Sequence, residues 1–384
     1  MTTTGKPTRQ EQQPASEEVV EVAPDILRMQ LPIALPGLGH VNTYALCDDR
    51  GIAVVDPGLP GKQSWDALVS RLDQAGYRVK DVHTVIVTHS HPDHFGGAGL
   101  LRHRSGAEVV THRAFRTWMD PDEGDDVGPD DLPTVDDPSD LDGPVDRTDG
   151  PDDPANRGRA RWKLQQPWSG DTFKPPLGHR MKFRMMRTIG RRWVKPPQPS
   201  RRLGQDDVVG FAGREWVAVH TPGHTNDHLC LYSPTDGVVL AGDHVLPTIT
   251  PHISGLVAGE DPLAQFFASL DRIASLDHLS LALPAHGLEF SDVAGRCEAI
   301  KTHHDERLQK LRDASAALGE TSVVELSHQL FQKRSWGRMA ESETYAHLEH
   351  LRFAGEMTSR RVGEDLHYSM VPEPPEERAA ASAG

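Results

Sequence analysis

Cysteines, aromatic residues and long apolar runs are all scarce in this chain of 384 residues. The three cysteines, Cys47, Cys230 and Cys297, stand far apart, which argues against a disulfide framework and favours small buried side chains in a reducing compartment. No apolar run reaches about 18 residues, so the sequence predicts no membrane span. The first residues have no apolar signal-peptide core, and we therefore expect a cytoplasmic protein.

Charge is distributed unevenly, although the net charge is −15. Residues 120–153 hold 15 acidic side chains against one basic, and residues 159–202 hold 13 basic side chains against one acidic. The acidic stretch has too few apolar residues to form a core and is predicted to be mobile. Together the two stretches form an insertion, 116–206. Apolar and basic side chains alternate over Met181–Trp193, which favours either a lid for an anionic substrate or neutralisation of the acidic stretch.

The sequence contains no Gly-rich phosphate loop, no internal repeat and no serine or cysteine arrangement typical of a nucleophile. It does contain Thr-His-Ser-His-Pro-Asp-His at 88–94, directly after an apolar run, Val82 to Val87, that predicts a buried strand. Metal ligands must converge within about 2.0–2.2 Å of one ion, and a short loop after a strand crowds side chains together. The pattern predicts that His89 and His91 face one metal ion, while Asp93 and His94 face another.

Further strand ends carry the same residue types. Trp216 to Val219 is predicted to be a strand and leads to His224, Val238 to Leu240 leads to Asp243, and Leu279 to Leu283 leads to His286. Ile52 to Val55 is a buried strand that ends at Asp56, whereas the Pro/Gly-rich stretch 32–41 is predicted to be a loop. We expect the first three strand ends to supply the remaining metal ligands.

These four motifs, T-H-S-H-P-D-H, T-P-G-H-T, A-G-D-H and P-A-H-G, resemble those of the metallo-β-lactamase superfamily over roughly Ile26 to Phe290. The resemblance implies an α+β protein: a four-layer αβ/βα metallo-β-lactamase sandwich with a small, mainly helical, winged-helix-like C-terminal domain. The expected domains are a disordered tail over 1–18, the metallo-β-lactamase-like domain over 19–295, the helical domain over 296–371 and a disordered tail over 372–384.

The resemblance also implies two metal ions and the roles of individual residues. Asp243 would bridge the two ions, Asp93 would also orient the attacking hydroxide, and Asp56 would support the ligands from behind. Zinc is the expected metal, and the histidine and aspartate set also suits iron or manganese. The first ion would be held by His89, His91 and His224, and the second by Asp93, His94 and His286.

The implied function is a metal-dependent hydrolase in which a bridging hydroxide between two zinc ions cleaves a small acyl substrate, a thioester or an ester. An endoribonuclease is the alternative, because the basic half of the insertion could hold a phosphate backbone. A β-lactamase or a persulfide dioxygenase is less favoured. Residues 297–371 hold 10 basic and 12 acidic side chains, a balance that argues against nucleic-acid binding and favours packing or a homodimer.

Overall fold

The computed structural model describes residues 9–35, 37–117, 166–170, 193–255 and 261–372. The acidic stretch, most of the basic stretch and therefore the predicted lid lie outside these described residues, as do 1–8 and 373–384. None of the helices in the described ranges is long and apolar enough to cross a bilayer, and no disulfide joins the three described cysteines. The chain divides into two compact units, and residues 9–117, 193–251 and 266–299 belong to the first.

Two sheets form the first unit. The seven-stranded sheet lies in chain order and consists of β1 (Val20–Ala23), β2 (Ile26–Leu35), β3 (Leu38–Asp48), β4 (Gly51–Val55), β5 (Val82–Ile86), β6 (Glu108–His112) and β7 (Arg201–Leu203). The other sheet consists of β8 (Val208–Phe211), β9 (Arg214–His220), β10 (Leu229–Ser233), β11 (Val238–Gly242) and β12 (Leu281–Pro284). Its spatial order is β12-β11-β10-β9-β8. Strands β4 to β7 are parallel, and so are β11 and β12.

The alternation of side chains along β4 explains why this unit has two cores. Ile52 and Val54 enter a core with helices outside the seven-stranded sheet, whereas Ala53 and Val55 enter a core between the two sheets. Successive side chains of a strand point to opposite faces, so a strand buried on both faces is apolar throughout. The apolar runs in the sequence therefore predict the buried strands to within a few residues.

Helices cover the sheets. They are α1 (Lys62–Gln74), α2 (Pro92–Phe95), α3 (Ala98–Ser105) and α4 (Pro262–Ala274). Leu68 and Leu72 of α1 pack in the outer core, as does Leu101 of α3, while Phe266 of α4 packs against the turn at Gly223. The predicted α+β class is confirmed.

The predicted loop over 32–41 is wrong, because β2 continues to Leu35 and β3 begins at Leu38. The predicted disorder of residues 1–18 is also wrong for part of that range. Residues 10–12 form a short 3-10 helix, and Glu11 is fully buried because its carboxylate accepts hydrogen bonds from the Thr248 and Ile249 amides. Polar composition alone cannot reveal partners more than two hundred residues away.

The second unit contains residues 300–372 together with 166–170, 252–255 and 261–265. Its elements are the end of α5 (Val293–Leu318), β13 (Thr321–Ser322), α6 (Val323–Leu330), α7 (Arg338–Phe353), β14 (Met357–Val362) and β15 (Asp365–Met370). The three strands form a small sheet in the order β13-β15-β14. The predicted capping residue Ser322 forms a capping box with Glu325 at the start of α6.

The predicted domain boundary at 295 omits three short segments of this second unit. The Gly255 amide donates to Ser342 Oγ at 3.1 Å, and His350 Nδ1 lies 3.0 Å from Asp261 Oδ2. The ring of Trp168 packs on Tyr345 at a centroid distance of 5.5 Å. The boundary prediction is wrong for these segments because such contacts between distant parts of the chain leave no local signal.

Two neutral histidines are buried in the second unit. Nδ1 of His347 donates to the carbonyl of Glu343 at 2.7 Å, so Nε2 is left to accept from Nδ1 of His304 at 3.0 Å. Burial lowers the pKa of His347 to about 4 and the pKa of His304 to about 2. Both side chains would take up a proton on unfolding below about pH 6.5.

We expect acid to destabilise the second unit because its unfolded state binds more protons than its folded state below pH 6.5. Between pH 6.5 and 4.5 the free energy of unfolding should fall by on the order of 2 kcal/mol for each histidine. Hydrogen exchange of the α7 amides, corrected for intrinsic exchange rates, measures this fall, and His347→Gln should reduce it by about half. Protection in α7 that does not change over this pH range would contradict the assignment.

Candidate metal centre

The predicted ligands and their support Asp56 all come shortly after the ends of strands. Asp56 follows β4, the loop 88–94 follows β5, His224 follows β9, Asp243 follows β11 and His286 follows β12. Helix α2 begins at Pro92, whose fixed φ suits the first position of a helix, and His91 is its N-cap. The side chains before Pro92 and those after it therefore leave the loop in different directions, as the sequence predicts.

The first cluster joins three imidazoles and one carboxylate. Nδ1 of His91 lies 3.0 Å from Nε2 of His89 and 3.1 Å from Nε2 of His224. Oδ2 of Asp243 lies 3.5 Å from Nε2 of His224 and 3.8 Å from Nε2 of His89. These four ligand atoms lie within 4.8 Å of one another, which is close enough for them to hold one metal ion.

The second cluster joins Asp93, His94 and His286, and Asp243 reaches it as well. Oδ2 of Asp93 lies 3.6 Å from Nε2 of both His94 and His286. Oδ2 of Asp243 lies 3.5 Å from Nε2 of His94, and Oδ1 lies 3.2 Å from Nε2 of His286. The structure thus brings together all seven predicted ligands, with the Asp243 carboxylate between the two clusters.

Asp56 fixes the orientation of two histidines. Its carboxylate accepts hydrogen bonds from the amide of Thr88 at 2.9 Å and from Oγ1 of Thr88 at 2.8 Å. Because the Thr88 hydroxyl proton is used in this way, Nδ1 of His89, 3.0 Å away, must donate to Oγ1. Nδ1 of His94 donates to Asp56 at 2.9 Å. Both rings therefore turn Nε2 towards the clusters, the arrangement by which outer hydrogen bonds orient metal-ligating histidines.

The buried atoms at the centre fit a metal ion. Nε2 of His94, Nε2 of His286 and Oδ1 of Asp243 are buried, and none makes a hydrogen bond of normal geometry with the described residues. Buried polar atoms without partners are costly, and a cation held between imidazole nitrogens and carboxylate oxygens would satisfy all three. Imidazole and carboxylate form a donor set that zinc, iron and manganese all accept.

The electrostatics of the centre indicate the same need for positive charge. Burial would raise the pKa of Asp243, but the imidazoles of His286 and His94 hold it well below its usual range. Burial would lower the pKa of His94, but the carboxylates of Asp243, Asp93 and Asp56 raise it well above its usual value. Burial and the neighbouring rings of His94 and His91 lower the pKa of His89. The buried carboxylates thus favour cations at these positions.

His228 holds Asp243 through the backbone, a role that the sequence did not predict. Nε2 of His228 accepts the Asp243 amide proton at 3.0 Å, while its Nδ1 lies 2.7 Å from Oγ1 of Thr221. Gly242 has a φ of 51° and passes so close to this ring that an added Cβ would lie 2.7 Å from Nε2. A histidine four positions after His224 is a signal that sequence reasoning could have used.

Comparison with known families fits this centre. The model of the metallo-β-lactamase superfamily matches residues 36–286, about two thirds of the chain. The chain belongs to the metallo-β-lactamase superfamily. It is 24% identical over 370 residues to the probable metallo-hydrolase YqjP of Bacillus subtilis, a match that covers 90% of this chain and 98% of that protein. The chain is therefore a metallo-β-lactamase superfamily hydrolase, and the predicted family is confirmed.

Solved structures show the same fold. A metallo-β-lactamase family protein from Thermus thermophilus is 27% identical, with a TM-score of 0.65, over 91% of this chain and 100% of that chain. A β-lactamase domain protein from Burkholderia ambifaria is 25% identical, with a TM-score of 0.66, over 93% and 96%. The predicted sandwich with a mainly helical C-terminal part is confirmed.

Shorter matches connect the chain to enzymes that are named for acyl substrates. An atrochrysone carboxyl ACP thioesterase of Aspergillus chevalieri is 30% identical over 129 residues, which cover 32% of this chain and 38% of that protein. A hydroxyacylglutathione hydrolase of Albidiferax ferrireducens is 38% identical over 81 residues, which cover 21% and 28%. The chain spans less than half of the length of each of these two proteins.

Proposed function

We propose that the chain hydrolyses small acyl thioesters with the help of two divalent metal ions. Zinc is the metal we favour, ahead of iron or manganese. The observation that carries this proposal is the pair of ligand clusters that share the Asp243 carboxylate. A carboxylate between two clusters suits a site that would hold two divalent ions. When bound, the ions would lower the pKa of a water molecule towards about 7 and would stabilise negative charge on the substrate oxygen.

The side chains of this chain would hold the two ions and orient the attacking water. His89, His91 and His224 would hold the first ion, while His94 and His286 would hold the second together with Asp93. Asp243 would bind both ions. Asp93 would also accept a hydrogen bond from the attacking water and fix its direction, because its second carboxylate oxygen is left after one binds metal.

A thioester needs less help from the protein than an amide or an alkyl ester does, because its leaving group needs no proton donor. A thiol has an ordinary pKa of about 8.5, so a thiolate leaves without first receiving a proton, whereas an amine or an alkoxide needs one. The relatives of the two shorter matches are named as an ACP thioesterase and as a hydrolase of hydroxyacylglutathione, which is itself a thioester. Both observations support an acyl thioester as the substrate class.

We also propose that the second unit is a winged-helix-like module. Its surface would serve packing against protein and would not bind nucleic acid. Its order, α5-β13-α6-α7-β14-β15, places a two-stranded hairpin after three helices. Residues 297–371 carry 10 basic and 12 acidic side chains, whereas a module that reads nucleic acid presents a basic face. Salt-sensitive RNA binding by the full chain that is lost when basic side chains of residues 297–371 are replaced would contradict this proposal.

A substrate panel tests the proposed function. The zinc-loaded protein is assayed with acyl-CoA, acyl-glutathione, a neutral ester, a lactone, a β-lactam and RNA, and Asp243→Ala purified in the same way is the control. We expect kcat/KM for at least one thioester to exceed the values for the β-lactam and RNA by about 100-fold or more, with loss of turnover after chelation. Preferred turnover of RNA would favour the endoribonuclease, and preferred turnover of the β-lactam would overturn the thioester assignment.

A further inference from the structure

The loop that carries His286 is held by residues from the beginning of the chain. Nδ2 of Asn42 donates to the carbonyls of Pro284 and Gly287, both at 2.8 Å, and the hydroxyl of Tyr44 donates to the Pro284 carbonyl at 2.8 Å. These bonds place the backbone on both sides of His286. They do not determine the orientation of the imidazole ring, which depends on a different residue.

His40 determines that orientation with its backbone and its side chain together. Its carbonyl accepts Nδ1–H of His286 at 2.6 Å, which directs Nε2 of His286 towards Asp93 and Asp243. Nε2 of the His40 ring accepts the amide of Gly287 at 3.1 Å. The two bonds hold residues 286 and 287 from one side, so a displacement of the His40 backbone would also move the His286 ring.

The His40 ring is itself held by residues 10–13, which we call the N-terminal clasp. Nδ1 of His40 lies 2.8 Å from the carbonyl of Gln13. A carbonyl can only accept, so Nδ1 carries the proton and Nε2 keeps the lone pair that the Gly287 amide needs. The clasp thereby selects the tautomer of His40 that can bind residue 287.

Two further sets of hydrogen bonds hold the N-terminal clasp, and the clasp lies directly against β3. The buried carboxylate of Glu11 accepts the amides of Thr248 and Ile249 at 2.8 and 3.1 Å, and Oε1 of Gln10 accepts the amide of Leu288 at 3.1 Å. A Cβ on Gly39 would lie 2.2 Å from the Gln13 carbonyl oxygen, so only glycine allows this approach.

We propose that the N-terminal clasp and His40 are positioning elements of the second metal cluster, and that they act on metal affinity through the ring of His286. The chain of contacts runs from the Gln13 carbonyl through the His40 ring to the Gly287 amide, and through the His40 carbonyl to the His286 ring. Outer hydrogen bonds of this kind typically change metal affinity by about 10- to 100-fold when they are removed. This inference rests on the proposed assignment of Asp93, His94 and His286 to a metal ion and does not depend on the substrate.

Two variants interrupt the chain of contacts at different points. Gly39→Ala places a methyl group against the Gln13 carbonyl and displaces the clasp, while every predicted ligand and the His40 side chain stay intact. The φ of Gly39 lies outside the left-handed region, so alanine adds no backbone strain. His40→Leu removes both ring hydrogen bonds but keeps the carbonyl that binds His286. His40→Gln, whose amide can both donate and accept, should restore part of the loss.

Matched controls separate this effect from general instability. Gly210→Ala introduces the same methyl group in β8, where a Cβ meets nothing within 4 Å. His83→Leu removes a half-buried histidine of β5 whose ring nitrogens contact Thr84 and Asp48 and no predicted ligand. Neither control should alter metal affinity, although His83→Leu should lower the melting temperature.

The measurement is the dissociation constant of each zinc equivalent in the full chain, obtained by competition with a chromophoric chelator. For Gly39→Ala and His40→Leu we expect one equivalent to bind about 10- to 100-fold more weakly and the other to bind as in the original protein. The double variant Gly39→Ala/His40→Leu should lose no more zinc affinity than the single variant with the larger loss, because both substitutions interrupt one chain of contacts.

Unchanged affinities in both variants, equal loss of both equivalents, or fully additive losses would overturn the inference. An original protein that binds fewer than two zinc ions would instead contradict the proposed function, so the two failures are distinguishable. A folded circular dichroism spectrum for each variant confirms that affinity is measured on the native state.

Discussion

Replacing Asp243 with alanine is expected to lower kcat/KM by about three orders of magnitude or more, because one carboxylate serves both clusters. Its oxygens lie 3.2–3.8 Å from ring nitrogens of His89, His94, His224 and His286. Removing it leaves two closely spaced sites without the negative charge that they share. Each factor of ten in rate corresponds to about 1.4 kcal/mol, so three orders of magnitude correspond to the loss of several kcal/mol of charge stabilisation.

The assay compares Asp243→Ala with Asp243→Asn and Asp66→Ala on whichever thioester the original protein cleaves best. Asparagine keeps the shape of the aspartate side chain but not its charge. Because we attribute the loss of activity to the missing charge, kcat/KM of Asp243→Asn should lie within about tenfold of kcat/KM of Asp243→Ala. Asp66 is a surface residue that pairs with Lys62 on α1, and its replacement should leave kcat/KM unchanged. Activity of Asp243→Ala close to that of Asp66→Ala would contradict the shared-ligand assignment.

Replacing Asp56 with alanine is expected to lower the free energy of unfolding by about 3–5 kcal/mol and to weaken metal binding as well. The carboxylate accepts three buried hydrogen bonds, two from Thr88 and one from His94, and each donor would be left without its acceptor. Asp56 also adopts a φ of 50°, a conformation that aspartate tolerates better than alanine.

Chemical denaturation measures the loss of stability, and Asp206→Ala separates the backbone effect from the hydrogen bonds. Asp206 is exposed and has a φ of 65°, so its replacement costs backbone strain but breaks none of the buried bonds. We expect this control to lose about 1 kcal/mol. A loss for Asp56→Ala no larger than that of Asp206→Ala would show that Asp56 does not support the centre.

The residues of the two clusters could be predicted from the sequence because the information is local. A strand buried on both faces, such as β4 or β5, is a continuous apolar run, and the residues that follow it must lie in the loop at its end. His89, His91, Asp93 and His94 share one such loop, and Pro92 separates them into two pairs. Only the convergence of that loop with His224, Asp243 and His286 needed the structure or the family resemblance.

Apart from Asp56, the support behind the two clusters could not be predicted, because it depends on contacts between distant residues. Residues 10–13 are polar and follow a polar terminus, so nothing local distinguishes them from a disordered tail. Their order comes from Thr248, Leu288 and His40. The short segments 166–170, 252–255 and 261–265 belong to the second unit for the same reason.

The number of metal ions per chain tests the central claim most directly. Elemental analysis of the protein, loaded with zinc and freed of unbound metal by gel filtration, gives this number, with Asp243→Ala measured alongside. We predict close to two zinc ions per chain for the original protein and at most one for the variant. One ion or none in the original protein, or two ions in the variant, would contradict a dinuclear centre that shares Asp243.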